Sequence, residues 1–69
     1  MRLKVSSEEL LNALVNKGWS VTQAALEMGI SVARMGKYLK ADRGVYPQTA
    51  AKMRRLFGEK VIYLTGEKE

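Results

Sequence analysis

Val21-Thr22-Gln23-Ala24-Ala25-Leu26-Glu27-Met28-Gly29-Ile30-Ser31-Val32-Ala33-Arg34-Met35-Gly36-Lys37-Tyr38-Leu39-Lys40 is the stretch on which the fold turns. Two short helices that cross steeply need a small residue at closest approach, a left-handed turn residue between them, and apolar residues that lock the angle from beneath. Ala25, Gly29 and the set Met28, Ile30, Met35 and Tyr38 meet those needs in turn. Ser20-Val21-Thr22-Gln23 has the spacing of a helix cap, with Thr22 as the alternative cap, and this helix runs only to Met28. Ser31 is the N-cap of the next helix, whose apolar positions Met35, Tyr38 and Leu39 recur at spacings of three and four and which ends near Ala41. With those three turned inward, Ser31, Val32, Ala33, Arg34, Lys37 and Lys40 point outward, and no acid is among them.

The flanking segments supply the rest of the fold. Ser6-Ser7-Glu8-Glu9 is a capping box, and Leu10, Leu11, Leu14 and Val15 form one helical stripe, so the first helix spans residues 7–17 and stops at Gly18. Trp19 reads as a core or hinge aromatic rather than a stacking platform for a ligand. Residues 41–46 read as a polar turn. Pro47 suits the first position of a fourth helix, residues 47–57, with Ala50, Met53, Leu56 and Phe57 on its buried face and Gly58 closing it. Lys60-Val61-Ile62-Tyr63-Leu64-Thr65 fits a strand and a last short helix equally well. If it is extended, the alternating Arg2-Leu3-Lys4-Val5 is its pairing partner, in a ribbon that needs helices or a second subunit to support it. The expectation is a single, mainly all-α domain over residues 1–69 with four to five helices, its motif at 21–40 and a short β pairing of the two ends if the tail is a strand.

Composition narrows the function classes. A chain of 69 residues holds one small core, since a domain of this size buries only about 60% of its unfolded surface. There is no Cys and no His, which removes disulfides, thiolate metal sites, the commonest metal ligand and the usual general base. No enzyme activity, metal, cofactor or small-molecule ligand is expected. No apolar run approaches the roughly 20 residues of a membrane span, and Met1-Arg2-Leu3-Lys4-Val5 is too short and too charged for a signal peptide. The protein is therefore expected in the cytoplasm, with no membrane partner. The net charge of +5 is unevenly placed: residues 31–55 hold seven bases (Arg34, Lys37, Lys40, Arg43, Lys52, Arg54, Arg55) and one acid, Asp42, whereas the remaining residues hold five bases and six acids. A solvated surface mixes signs, while a surface facing phosphates does not.

The 21–40 stretch resembles the helix-turn-helix of phage Cro proteins and repressors. That family has Ala at the fifth position, Gly at the ninth, and apolar residues at the fourth, eighth, tenth, fifteenth and eighteenth. With Val21 as the first, Ala25, Gly29, Ala24, Met28, Ile30, Met35 and Tyr38 match, Ala24 being the weakest apolar member. The likeness extends over about residues 6–64. Pro47-Gln48-Thr49 is also similar to the lactose-repressor headpiece, and residues 22–40 alone are similar to the Fis-type motif. Two departures stand out: Tyr46 replaces the Ser or Thr that usually caps the fourth helix, and Gly36 interrupts the third.

The resemblance implies that residues 31–40 enter the major groove of double-stranded DNA. Ser31, Val32, Ala33, Arg34 and Lys37 then reach base edges, with Val32 and Ala33 suited to thymine methyls and Arg34 and Lys37 to guanine O6 and N7. Val32 also reads as partial core, and Arg34 or Lys37 as phosphate contacts. Thr22, Gln23, Lys40, Arg43 and Tyr46 fall where the family meets the DNA backbone. Capping for Thr22 and plain solvation for the charged residues are the competing readings. Gly36 either lets the helix approach the sugar-phosphate wall or relieves crowding against a neighbouring helix. A homodimer on half-sites about 34 Å apart is implied, with Val61 to Leu64 as its interface unless they close the monomer core. The expected function is a sequence-specific transcriptional regulator. The alternatives are an accessory or architectural DNA binder, such as an excisionase-like factor or an antitoxin, and a helical protein-interaction module.

Overall fold

The computed structural model describes residues 2–66; Met1 and residues 67–69, part of the domain expected over 1–69, lie outside the described residues. The order of elements is β1 (Arg2–Val5), α1 (Ser7–Lys17), α2 (Val21–Met28), α3 (Val32–Lys40), β2 (Arg43–Gly44), α4 (Pro47–Phe57), a 3₁₀ turn (Glu59–Val61) and β3 (Ile62–Thr65). The protein is mostly helical with a small antiparallel sheet. Among the described residues, no helix is long and apolar enough to cross a membrane.

Three helices start in the same way. The hydroxyl of Ser6 accepts the Glu9 amide at 3.3 Å, that of Ser20 the Gln23 amide at 3.1 Å, and that of Ser31 the Arg34 amide at 3.1 Å. Each satisfies one of the amides that the first turn of a helix leaves unpaired, worth about 1 kcal/mol. Ser20 rather than Thr22 is thus the cap of α2, which leaves the exposed Thr22 side chain outside the capping arrangement. At the other end of α2, Gly29 takes φ +72°, and the Gly29 and Ile30 amides donate back to the carbonyls of Leu26 and Ala25 at 3.1 and 3.0 Å. Only glycine holds that left-handed corner without a Cβ penalty, so the chain turns sharply enough for α3 to begin three residues later.

The core collects Val5, Leu10, Leu14, Ala24, Ala25, Met28, Met35, Tyr38, Ala50, Met53, Val61 and Ile62. Ala24, Ala25, Met28, Met35 and Tyr38 of the 21–40 stretch are all buried, and Ile30 is half-buried against the cluster. The first-helix stripe is narrower than its sequence implied. Leu10 and Leu14 are buried, but Leu11 and Val15 are 51% and 71% exposed. They sit about 100° round the helix from the buried pair, and α1 packs along a single line on α3, α4 and the 3₁₀ turn. In α4, Ala50 and Met53 are buried while Leu56 and Phe57 are half-covered. Half-buried Trp19 meets Phe57 edge-on, ring centroids 5.8 Å apart, and the Lys17 ammonium lies 4.9 Å from its ring centre. It is a hinge aromatic, joining the α1–α2 corner to the end of α4.

The tail resolves into both of its readings in sequence, one 3₁₀ turn followed by a strand. β3 pairs antiparallel with β1 in the register Arg2↔Thr65, Leu3↔Leu64, Lys4↔Tyr63 and Val5↔Ile62. The sheet has a third strand that the sequence reading assigned to a polar turn. Arg43 and Gly44 pair with Val5 and Lys4 on the other side of β1, giving the order β2-β1-β3. A two-residue strand has no periodicity to detect, and its pairing is made by β1, some forty residues away. The ribbon is supported from below, because α4 packs against both β1 and β3.

Candidate nucleic-acid interface

With Met35 and Tyr38 buried, α3 turns Ser31, Val32, Ala33, Arg34, Lys37 and Lys40 to solvent. Val32 is 48% exposed, a helix-surface position with about half of its area covered, so both of its readings stay open. The structure brings Ser31, Ala33, Arg34 and Lys37 around one cleft, whose far wall is formed by Arg43 and Gly44 of β2. The face begins at an uncovered helix start and ends on two lysines, Lys37 and Lys40, in the last turn, where positive charge also suits the helix dipole. A Cβ built on Gly36 meets nothing within 4 Å. Crowding against a neighbouring helix therefore does not explain this glycine.

Of the residues expected at the DNA backbone, the structure brings Arg43 and Tyr46 together with Arg34 along one groove, and leaves Thr22 and Gln23 on α2 and Lys40 at the end of α3. Thr22 is exposed near the start of α2. Gln23 is half-buried and held at both of its donors: its amide Nε2 donates to Glu27 Oε2 at 2.9 Å, and its backbone amide serves the Ser20 cap. Lys40 and Arg43 are exposed on either side of the Ala41–Asp42 bend. Tyr46 is 77% exposed at the N-cap position of α4, where its side chain makes no capping bond. An aromatic ring at a cap position, left standing in solvent, is what the missing Ser or Thr costs this helix.

Three contacts escaped the sequence reading. Asp42, the single acid of the basic segment, is an anchor: its Oδ1 accepts the Ser7 amide at 2.9 Å and the Ser7 hydroxyl at 3.2 Å, and its Oδ2 accepts the Tyr63 hydroxyl at 2.6 Å. The Tyr63 hydroxyl, followed by the Ser7 amide, holds the Asp42 carboxyl below its ordinary pKa of 3.8, against a small opposing effect of burial. Through Asp42 the chain just after α3 is tied to the start of α1 and to β3. The signal was present in the sequence as an acid isolated among bases, although its partners 35 and 21 residues away were not. Lys52 and Arg54 are the other two. The Lys52 ammonium donates to the Met28 carbonyl at 3.3 Å, reaching from α4 to the open end of α2, and Arg54 lies 3.8 Å from Glu59. Both were counted toward the basic segment; Lys52 is held at the corner between α2 and α3, and Arg54 lies beside Glu59.

No family model matches the chain, and no match was found among curated proteins or solved structures. The site rests on its own geometry.

Proposed function

We propose that the chain is a sequence-specific DNA-binding transcriptional regulator of the phage Cro and repressor type, with α3 as the helix that enters the major groove. One observation carries this reading: Ser31, Val32, Ala33, Arg34, Lys37 and Lys40 form an exposed, acid-free helix face whose opposite side is fixed by buried Met35 and Tyr38. Such a face fits a groove walled by phosphates and gives Arg34 and Lys37 a rigid platform from which to meet guanine edges. The Gly29 corner and the Ser31 cap fix where that helix begins.

A single helix of nine residues covers little DNA, so specific binding at physiological salt calls for two copies on a two-fold site. Of the tail residues considered for this contact, Val61 and Ile62 are committed to the monomer core, while Leu64 stands 57% exposed on the outer strand β3. Leu64 is the residue through which a second copy would pair.

The test is selection of bound sites from random duplexes with the wild type and with Arg34→Ala plus Lys37→Ala. Enrichment of a short palindrome by the wild type, lost in the double variant at unchanged melting temperature, supports a regulator. Steep salt dependence with no enriched sequence supports an accessory DNA binder instead. Failure to retain any duplex refutes both.

A further inference from the structure

Of the four helices, α1, α2 and α4 end on a glycine, Gly18, Gly29 or Gly58, whose amide donates back into the last turn. α3 ends otherwise. Ala41 leaves it directly in the extended conformation, with φ −159° and ψ 155°, so the path beyond the helix is set by what the following residues bind. The first of them is Asp42, whose Oδ1 accepts the Ser7 amide at 2.9 Å and the Ser7 hydroxyl at 3.2 Å, and whose Oδ2 accepts the Tyr63 hydroxyl at 2.6 Å. Arg43 follows and pairs with Val5, whose other partner across the sheet, Ile62, directly precedes Tyr63. The carboxylate thus closes the bend onto the same two segments, the β1–α1 junction and β3, that the sheet gathers beside Arg43.

This bend fixes a width. Arg34 and Lys37 stand on the α3 wall of the cleft and Arg43 on its β2 wall, and only Ala41 and Asp42 join the Lys40 end of the helix to that strand. Cations on two separate elements engage one DNA backbone together only when the elements keep their spacing, because a loose connection has to be ordered at the moment of binding. Charge alone argues against an acid at this place. Asp42 is the single carboxylate in residues 31–55 and stands exposed between Lys40 and Arg43, where it repels the phosphates that they attract. Its bonds to Ser7 and Tyr63 are what set against that repulsion.

We infer that Asp42 is a positioning residue for DNA binding: by pinning the α3–β2 bend to Ser7 and Tyr63, it holds Arg43 on the DNA backbone while α3 lies in the groove. The inference rests on the reading of α3 as a DNA-recognition helix and adds to it a residue that acts through another. Asp42 itself touches no DNA in this arrangement. It sets affinity and carries no sequence information, because the contact it positions is to the backbone that every base pair shares. Through the Tyr63 hydroxyl, β3 takes part in holding the bend although it stands on the far side of β1 from Arg43.

The experiment measures affinity for the selected site over a range of salt concentrations, for wild type, Asp42→Ala, Tyr63→Phe, Arg43→Gln and the Asp42→Ala plus Arg43→Gln double variant, each at a temperature below the onset of its own thermal melt. Charge and positioning predict opposite signs for Asp42→Ala. Deleting a carboxylate from a surface that faces phosphates tightens binding if charge alone matters. If Asp42 positions Arg43, binding weakens although the protein becomes more positive, by up to about eightfold at 0.1 M salt and with a salt slope shallower by up to about 0.9, the share of one phosphate contact. Tyr63→Phe keeps the charge and removes one of the bonds, so it should weaken binding by a smaller factor. In the Arg43→Gln background Asp42→Ala should cause no further loss, a coupling that reduced stability does not produce. Tighter or equal binding by Asp42→Ala would overturn the positioning role, and so would separate losses that multiply in the double variant. Where Asp42→Ala does not fold, Tyr63→Phe alone and combined with Arg43→Gln decides by the same criteria. Loss of the site in Arg34→Ala plus Lys37→Ala keeps the recognition reading standing whatever Asp42 does, whereas a wild type that retains no duplex removes both.

Discussion

Replacing Asp42 with Asn keeps the shape of the side chain and removes the charge that three donors converge on. The Ser7 amide and hydroxyl at 2.9 and 3.2 Å and the Tyr63 hydroxyl at 2.6 Å all point at the carboxylate, which stands in solvent. The Ser7 amide is the first of α1, so this bond works as a helix cap supplied from elsewhere in the chain, worth about 1 kcal/mol. Because water screens the site, the Tyr63 bond adds only about 0.5 kcal/mol. Asn keeps a carbonyl oxygen for the Ser7 amide and loses the acceptor for Tyr63 with the charge, so Asp42→Asn should destabilise by about 0.5–1 kcal/mol, which in a domain of this size lowers the melting temperature by roughly 2–8 °C. Tyr63→Phe alone should cost the smaller share, and in the double variant the two losses should add to less than their sum. The effect also has a defined pH dependence. The folded-state pKa of Asp42 is lowered from 3.8, so its contribution is complete above the unfolded value and disappears as pH falls through the folded one. Wild type and Asp42→Asn should differ at pH 7 and converge in melting temperature as pH falls through the lowered folded-state pKa. Equal melting temperatures at pH 7, or a gap that does not narrow on acidification, would refute the anchor.

Other perturbations test other parts of the structure. Gly36→Ala, placed where a Cβ meets nothing within 4 Å, should raise stability by about 1 kcal/mol in a thermal melt. If α3 uses that gap to approach a sugar-phosphate wall, the same variant binds its duplex more weakly, so stability and affinity move in opposite directions. Gly29→Ala forces a side chain into φ +72° and should destabilise by about 1–2 kcal/mol in urea unfolding. Lys52→Met removes the donor to the Met28 carbonyl and should cost about 1 kcal/mol while leaving the salt slope of DNA binding unchanged. A shallower slope would show that Lys52 contacts phosphate.

What the sequence disclosed follows from the range of the interactions that make each element. The Ser6, Ser20 and Ser31 caps and the Gly29 corner are local, built from residues within five positions of one another, and the helix limits read from them lie within a residue or two of those found. The exposed face of α3 was legible for the same reason, since buried Met35 and Tyr38 with half-buried Leu39 determine where the others point. β2 was not legible, because Arg43 and Gly44 become a strand only through Val5 and Lys4. Overcounting the basic surface had a similar cause: Lys52 and Arg54 look alike to Arg34 and Lys37 in the chain, and only their partners Met28 and Glu59 separate them. Leu11 and Val15 show that an apolar stripe gives the direction of a buried face more reliably than its width.

The central position of β1 has a consequence for how the molecule assembles. Its two neighbours are residues 43–44 and 62–65, so the strand at one end of the chain completes its hydrogen bonding only with residues near the other. The helices can form early from contacts within themselves, whereas closing a loop of this length has to be achieved before β1 gains anything in return. During synthesis Val5, fully buried in the finished fold, therefore stays without its cover until the last strand has left the ribosome. A chain cut back to Val61 would keep all four helices and lose β3, leaving β1 paired only with the two residues of β2.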